Sequence, residues 1–177
     1  AFYGPKLDIQ MRNVYGKEDT LITVQIDFVQ PDRFDMSFVD SDGTKKRPYV
    51  IHRTSVGCYE RTLAILIEKH AGALPSWLAP VQVKILPISD AQLDYAEEVA
   101  SLLKARGFRA EVDRSGEKIG YKIRAAQMEK VPYMLVMGAK EKEAGTVSVR
   151  CRKRGDLGPM PLDEFSRMLK DEVTIKA

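Results

Sequence analysis

The stretch Ile51-His-Arg-Thr-Ser-Val-Gly-Cys-Tyr-Glu-Arg61 carries the change from a strand-like run to an apolar helix. The pattern predicts a helix from about Val56 to His70 that is apolar on all sides and therefore buried. Arg61 falls on its first turn, where a guanidinium suits the oxygens of a phosphate. An ion pair with Glu60 is the alternative. His52 is one of two histidines in the chain, and a lone histidine is more often a structural residue than a metal ligand.

The histidines and cysteines do not have the spacing of a four-ligand zinc site, so the residue types alone do not support a metal. The two cysteines, Cys58 and Cys151, are too few for a disulfide framework. They suit a reducing compartment, and we expect a cytoplasmic location. The small thiol of Cys58 suits a tight pocket, with a buried, inert thiol as the alternative.

Length and composition indicate a folded protein with one ordinary domain or two small ones. Of its 177 residues, 44% are hydrophobic and 30% are charged, which excludes a disordered chain. No segment approaches the run of about 18 apolar residues that spans a bilayer, so we expect no membrane partner. The chain begins without Met at Ala1-Phe-Tyr-Gly-Pro5, which we interpret as a piece of a longer protein.

Charge is distributed unevenly, with a net +3 over the whole chain. The basic zone, residues 117–154, holds ten Lys or Arg against four Glu. Such a zone indicates a polyanionic partner, although a solvated charged surface is the alternative.

Two patterns of periodicity divide the chain near Leu78. Residues 6–53 alternate in four runs, near 7–11, 21–28, 33–39 and 48–52, which predicts an antiparallel sheet of four strands. From Val81 onward, strands alternate with helices, which predicts a mainly parallel sheet with helices on both faces. The predicted order is strand 81–86, a helix ending at Gly107, strand 108–112, a helix from Glu117, strand 133–137, a hairpin partner at 146–150 and a last helix at 162–173. We therefore predict an α/β fold with domains at 1–78 and 79–177.

Basic and aromatic residues of the second half lie where α/β sheets bind ligands, at helix amino ends and strand ends. They are Gly120-Tyr121-Lys122 on a predicted helix, and Arg150, Arg152 and Lys153 at the end of a strand. Such side chains suit single-stranded RNA, because bases stack on planar groups and phosphates meet cations.

The whole chain resembles the threonyl-tRNA synthetase family, whose members are class II aminoacyl-tRNA synthetases. Two segments, 113–124 and 131–136, resemble its anticodon-binding domain. The segments that resemble its catalytic domain and the junction after it are Ala1-Phe-Tyr-Gly-Pro-Lys-Leu-Asp8, Gln25-Ile-Asp-Phe28, Pro48-Tyr-Val-Ile-His-Arg53, Gly57-Cys-Tyr-Glu-Arg61 and Trp77-Leu-Ala-Pro-Val-Gln-Val83. The resemblance implies the C-terminal part of such an enzyme: a remnant of the antiparallel catalytic sheet with the motif 3 helix, then an α/β anticodon-binding domain.

The resemblance also implies roles for residues of the first half. Arg61 corresponds to the motif 3 arginine that holds the γ-phosphate of ATP, and His52 to a ligand of the catalytic zinc. Tyr3 corresponds to a residue of the threonine pocket, and Gln25 lies on the strand that floors the site for ATP and the tRNA end. Cys58 stands where the family often has Ser.

In the second half, the resemblance implies that Glu141 and Arg150 contact anticodon bases. Two positions depart from the family pattern: the segment 19–24 lacks a usual glutamine contact to adenosine, and Gly116 stands where an Asn often reads the anticodon. The remaining zinc ligands, the motif 1 dimer helix and the motif 2 arginine would belong upstream of Ala1.

These resemblances imply that the parent enzyme activates threonine with Mg-ATP, carries zinc, forms a homodimer through upstream segments and esterifies tRNA(Thr). The isolated chain is expected to recognise the anticodon, to lack zinc and to be inactive in catalysis. The second hypothesis is a non-enzymatic RNA-binding or regulatory module derived from a synthetase.

Overall fold

Alternating side chains build an antiparallel sheet in the first unit of the computed structural model, which describes residues 1–174. This unit spans Ala1–Lys69, and a second compact unit begins at His70. Strand β2 lies between β1 and β5 and is antiparallel to both, as the strand patterns near 7–11, 21–28 and 48–52 predict. The elements are β1 (Lys6–Arg12), β2 (Glu18–Asp27), α1 (Val29–Arg33), β3 (Phe38–Val39), β4 (Lys45–Lys46), β5 (Val50–Arg53) and α2 (Tyr59–His70).

The strand predicted over residues 33–39 is wrong. Helix α1 ends where that strand should begin, and only the short β3 is extended, as one arm of a hairpin with β4. Helix α1 begins because Asp27 Oδ1 accepts the N–H groups of Val29 and Gln30, each at 2.9 Å. These bonds satisfy N–H donors that the first turn of a helix leaves free. An alternating pattern in the sequence does not reveal such hydrogen bonds.

Helix α2 begins one turn later than predicted, and the prediction that it is buried is wrong. Gly57 has φ +76°, and a Cβ at this position would lie 2.1 Å from the Leu21 carbonyl oxygen. A left-handed residue cannot continue a helix, so α2 begins beyond it. Ile65 is its one buried residue, and Tyr59 is 81% exposed. Among the residues that the structure describes in this unit, neighbours cover only one side of the helix.

The second unit is built on a five-stranded sheet in the order β10-β9-β8-β6-β7. Strand β6 is parallel to β7 and β8, whereas β9 is antiparallel to both of its neighbours, β8 and β10. Its elements are β6 (Val83–Pro87), α3 (Leu93–Ala105), β7 (Ala110–Val112), α4 (Ile119–Met128), β8 (Tyr133–Met137), α5 (Ala139–Ala144), β9 (Thr146–Cys151), β10 (Gly155–Pro161) and α6 (Leu162–Val173). The predicted order of strands and helices is confirmed, and α5 and β10 are additions to it.

Helices cover both faces of this sheet, as predicted. Helices α3 and α6 cover one face around Leu103 and Phe165, which are fully buried. Helix α4 covers the other, where Ala126 belongs to one buried cluster with Leu86 and Met134. No helix within residues 1–174 combines the length and apolar character needed to cross a bilayer.

Side chains of the second unit hold the segment Ala71–Ala79 by its backbone. Arg152 donates to the carbonyl oxygens of Ala73 at 3.1 Å and Leu74 at 2.6 Å. The other donors are Lys130 to Ala71, Gln82 to Ser76 at 3.0 Å, and Arg109 to Trp77 and Ala79 at 2.8 Å each. Four side chains thus bind six carbonyl groups, so this segment is a fixed part of the second unit.

Candidate functional sites

An open cleft of about 480 Å³ in the first unit brings together three of the predicted site residues, Tyr3, Gln25 and His52. Gln25 and His52 are direct neighbours in the pairing of β2 with β5. Tyr3 Oη donates to Gln25 Oε1, and Gln25 Nε2 donates to Thr23 Oγ1 at 3.1 Å. Thr23, Gln25 and Asp27 line the same cleft because alternate residues of a strand face one side.

A close backbone contact places Tyr3 at this cleft. Gly4 packs so tightly on β2 that a Cβ would lie 2.0 Å from the Ile26 carbonyl oxygen. The backbone N–H of Phe28 donates to the Tyr3 carbonyl at 2.9 Å, and that of Ile26 to the Pro5 carbonyl at 3.0 Å. Only glycine allows this approach, so Gly4 fixes the position of Tyr3 beside β2.

His52 faces a buried carboxylate. Its Nε2 lies 3.1 Å from Oδ2 of Asp27, whose side chain is 5% exposed. Hydrogen bonds from the Gln30 N–H, from His52 and from the Val29 N–H hold the pKa of Asp27 below its usual range, although desolvation opposes them. The contact orients the imidazole, and a carboxylate in this position is the usual support of a metal-binding histidine.

The described residues do not by themselves fit a zinc site. Within residues 1–174, no three His, Cys, Asp or Glu side chains come close enough to hold a metal ion together. His52 and Asp27 form a pair, whereas a catalytic zinc takes three protein ligands.

Arg61 and Cys58 are not among the residues that line this cleft. Arg61 is exposed and donates from Nη1 to the Thr20 carbonyl oxygen at 3.0 Å. Glu60 is not its partner but accepts from Cys58 Sγ at 2.8 Å, and this bond lowers the pKa of the Glu60 carboxyl. A guanidinium carries five N–H donors, so Arg61 keeps capacity for an anionic ligand. Its predicted place on a buried helix is wrong, since α2 is mostly exposed.

In the second unit, Arg150 lies on the face of the sheet that α4 covers. It pairs with Met134 across β9 and β8, and paired residues point to the same side. Met134 packs in the cluster under α4, with Val131. Arg150 Nε lies 3.7 Å from Asp156 Oδ2 on β10, which is longer than a direct hydrogen bond.

Glu141 lies in the first turn of α5, just beyond the carboxyl end of β8. Its Oε2 accepts the N–H of Gly138 at 2.9 Å, which satisfies one free donor of that turn. Arg150 is opposite Met134, four residues before Gly138. At about 3.3 Å per residue, Arg150 and Gly138, whose N–H donates to Glu141, lie roughly 13 Å apart in the direction of β8.

Two residues proposed for an RNA surface are structural instead. Lys122 is 3% exposed, and its Nζ donates to the carbonyl oxygens of Pro87 at 3.1 Å and Asp113 at 3.4 Å. Arg152 holds the Ala71–Ala79 segment. Tyr121 is 60% exposed, as that prediction requires.

Sequence reasoning missed two polar residues beside Arg150, namely Gln127 on α4 and Asp156 on β10. A prediction of β10 as the partner of β9 would have placed Asp156 opposite Arg150. No signal in the sequence singles out Gln127.

The family model described as "Anticodon binding domain" matches residues 82–172, just over half of the chain. The chain belongs to the anticodon-binding domain family. A second model, "tRNA synthetase class II core domain (G, H, P, S and T)", matches residues 1–70. The predicted domain boundary at 78/79 lies between the two matched regions and stays a prediction.

Relatives of this family member are threonine–tRNA ligases. The enzyme of Clostridium botulinum (strain Eklund 17B / Type B) is 62% identical over 176 residues, which cover 99% of this chain and 27% of the relative. That of Clostridium perfringens (strain SM101 / Type A) is 62% identical over 173 residues, covering 98% and 27%. The chain thus spans about a quarter of the length of these curated relatives.

A solved structure has the same fold. The RNA binding domain of threonyl-tRNA synthetase from Cryptosporidium parvum Iowa II matches with a TM-score of 0.86 and 35% identity, covering 100% of this chain and 45% of that chain. The resemblance to threonyl-tRNA synthetase seen in the sequence and the predicted α/β fold class are both confirmed.

Proposed function

We propose that this chain is the anticodon-recognising part of a threonine–tRNA ligase. The observation that carries the proposal is the 62% identity over 99% of the chain to threonine–tRNA ligases, joined to the match of the second unit to the anticodon-binding domain. The whole ligase activates threonine with Mg-ATP and esterifies tRNA(Thr). Its partners are therefore the tRNA, threonine, ATP and, in the dimer, a second copy.

In the second unit, Arg150 and Glu141 are proposed to read anticodon bases. The guanidinium offers a fork of donors, and the carboxylate offers acceptors beside a helix amino end. Bases of a single-stranded loop are splayed apart, so a side chain on β9 and one on α5 can contact different bases. The net positive charge of the basic zone draws the RNA to this unit.

In the first unit, the cleft is proposed to serve threonine and ATP in the whole ligase. Tyr3 and Gln25 hold each other in place and present polar groups to a small amino acid. Cys58, although it does not line the cleft, is proposed to contact a substrate in the whole ligase. His52, oriented by Asp27, is proposed as one ligand of the zinc that polarises threonine. Arg61 is proposed to bind a phosphate of ATP. This role needs a rigidly held positive charge more than covalent chemistry.

The isolated chain is proposed to be inactive in adenylate formation. It offers one candidate zinc ligand and one candidate phosphate clamp, and electrostatic positioning needs several such groups together. Threonine-dependent pyrophosphate exchange by the 177-residue chain measures this directly, and turnover above the rate without threonine would contradict the proposal.

Binding of an anticodon stem–loop tests the proposed RNA contact. Arg150→Ala should weaken binding of a threonine-anticodon stem–loop by about 1–3 kcal/mol, the range for a base contact. Lys170→Ala removes the same charge from an exposed position on α6 and should have little effect. Equal losses in the two variants would mean that Arg150 acts only as a solvated charge.

A further inference from the structure

Arg33 places a permanent positive charge in the cleft of the first unit. It is exposed in the last turn of α1 and borders the cleft together with Gln30, three residues before it. Among the described residues that line the cleft, Arg33 is the one Lys or Arg, and the carboxylate of Asp27 is already bound to His52 and to the start of α1. Within residues 1–174, the Arg33 guanidinium makes no hydrogen bond or ion pair, so its N–H donors are available to a ligand.

Arg47, which follows β4, binds residues 31–36 on both sides of Arg33. Its Nη1 donates to the Met36 carbonyl oxygen at 2.7 Å. The other three groups that it contacts are the Pro31 carbonyl oxygen at 3.4 Å, Asp32 Oδ1 at 3.2 Å and Asp35 Oδ1 at 2.8 Å. One planar guanidinium thus holds four residues of this segment, and its own donors are used in doing so.

The turn that Arg47 holds contains a backbone conformation that needs support. Asp35 has φ +48°, in the left-handed region that a Cβ disfavours, and its N–H donates to the Asp32 carbonyl at 3.3 Å. This turn ends α1 directly after Arg33, so Arg47 fixes the direction from which Arg33 enters the cleft. Because the carboxylates of both ion pairs are exposed, Arg47 contributes more to the geometry of the turn than to the stability of the unit.

Arg33 and Arg61 lie at opposite ends of β2. Arg61 donates to the Thr20 carbonyl near the start of this strand, whereas α1 begins just after Asp27, its last residue. At about 3.3 Å per residue, Thr20 and Asp27 are roughly 20 Å apart. This is more than a triphosphate spans, so an ATP whose terminal phosphate binds Arg61 leaves Arg33 without an anion. The other polyanion that the whole ligase must bring to this cleft is the 3′ end of the tRNA, because that end receives threonine.

We propose that Arg33 binds a backbone phosphate near the 3′ end of the tRNA, and that Arg47 is a positioning residue that holds Arg33 for this contact. The inference rests on the proposed function, because charging of tRNA brings the 3′ end to the cleft. A guanidinium fork suits the two free oxygens of a phosphodiester. The contact holds the terminal ribose beside Tyr3 and Gln25, where threonine is proposed to bind.

Two reactions of the whole ligase that carries this chain separate the tRNA from the other substrates. Threonine-dependent pyrophosphate exchange needs no tRNA, whereas charging of tRNA(Thr) does. Arg33→Met should lower kcat/KM for the tRNA about 10- to 100-fold, as the loss of a hydrogen bond to a charged group does, and leave the rate of exchange unchanged. Arg12→Met removes an exposed guanidinium from β1 and should change neither reaction.

A double variant tests whether Arg47 acts through Arg33. Arg47→Met should lower kcat/KM for the tRNA severalfold, and Arg47→Lys should resemble it, because an ammonium does not span four separate acceptors. Arg33→Met combined with Arg47→Met should be no worse than Arg33→Met alone, since a positioning residue acts only through the residue that it holds. Normal pyrophosphate exchange in each variant shows that the ligase is folded.

Three results would count against the inference and leave the proposed function standing. A multiplicative further loss in the double variant would overturn the role of Arg47. Unchanged kcat/KM for the tRNA in Arg33→Met would overturn the phosphate contact. So would equal losses of charging and exchange in that variant, which would assign Arg33 to threonine or ATP. A wild-type ligase that does not charge tRNA(Thr) would instead overturn the proposed function.

Discussion

Asp27 holds together the residues around the cleft of the first unit. One oxygen accepts two backbone N–H groups that begin α1, and the other contacts His52 on β5. A carboxylate with several donors favours its ionised form, which explains its lowered pKa. The same residue thus starts a helix and orients the proposed zinc ligand.

The stability that Asp27 contributes should depend on pH in a definite direction. Because its pKa is lower in the folded chain than the roughly 3.9 of an unfolded aspartate, the contribution is present at neutral pH. It declines as the pH falls from that value through the folded pKa. Asp27→Asn should therefore be less stable than the wild type at neutral pH, with a smaller difference in acid. Urea unfolding at several pH values measures this, and a difference that grows in acid would contradict it.

At the scale of elements, the periodic parts of the second unit could be predicted from sequence. Helices α3, α4 and α6 and strands β6 and β8 have strong apolar patterns, because each buries a face in one of two cores. Elements α5 and β10 have no such pattern, since α5 buries no residue and four of the seven residues of β10 are Gly or Pro, which are weak strand formers. They form through tertiary pairing instead.

The roles of residues at the candidate sites could likewise be predicted only in part from the sequence. Resemblance indicates Arg150, Glu141 and His52 as candidates, and only for Arg150 does the residue type point the same way. The structural roles of Lys122 and Arg152 could not be predicted, since both donate to carbonyl oxygens of distant segments. The residue type of a basic side chain does not show whether it binds RNA or a backbone carbonyl group.

The Ala71–Ala79 segment depends on such contacts and offers a test. Arg152→Met leaves the carbonyls of Ala73 and Leu74 without their donor, and should cost about 1–3 kcal/mol of unfolding free energy. Amide hydrogen exchange should accelerate within the segment, where Leu78 and Ala79 donate to Pro75. Lys153→Met changes a neighbouring exposed charge and is the matched control. Unchanged exchange in Arg152→Met would show that the segment is held without it.

At the scale of the whole molecule, the basic zone serves two purposes. Five of its ten cations donate to groups inside the second unit: Lys122, Lys130, Lys142, Arg152 and Arg154. Their charges still attract RNA over about 8 Å at physiological salt. Under the proposed function, base reading falls to side chains of the zone that make no such bond, with Arg150 foremost.

Recognition of a threonine anticodon by this chain can be measured directly as binding specificity. The 177-residue chain is titrated at about 0.15 M salt with a threonine-anticodon stem–loop and with the same stem carrying a changed anticodon. We expect at least about tenfold tighter binding of the threonine loop, since each base contact is worth about 1–3 kcal/mol. Equal affinities for the two loops would contradict it.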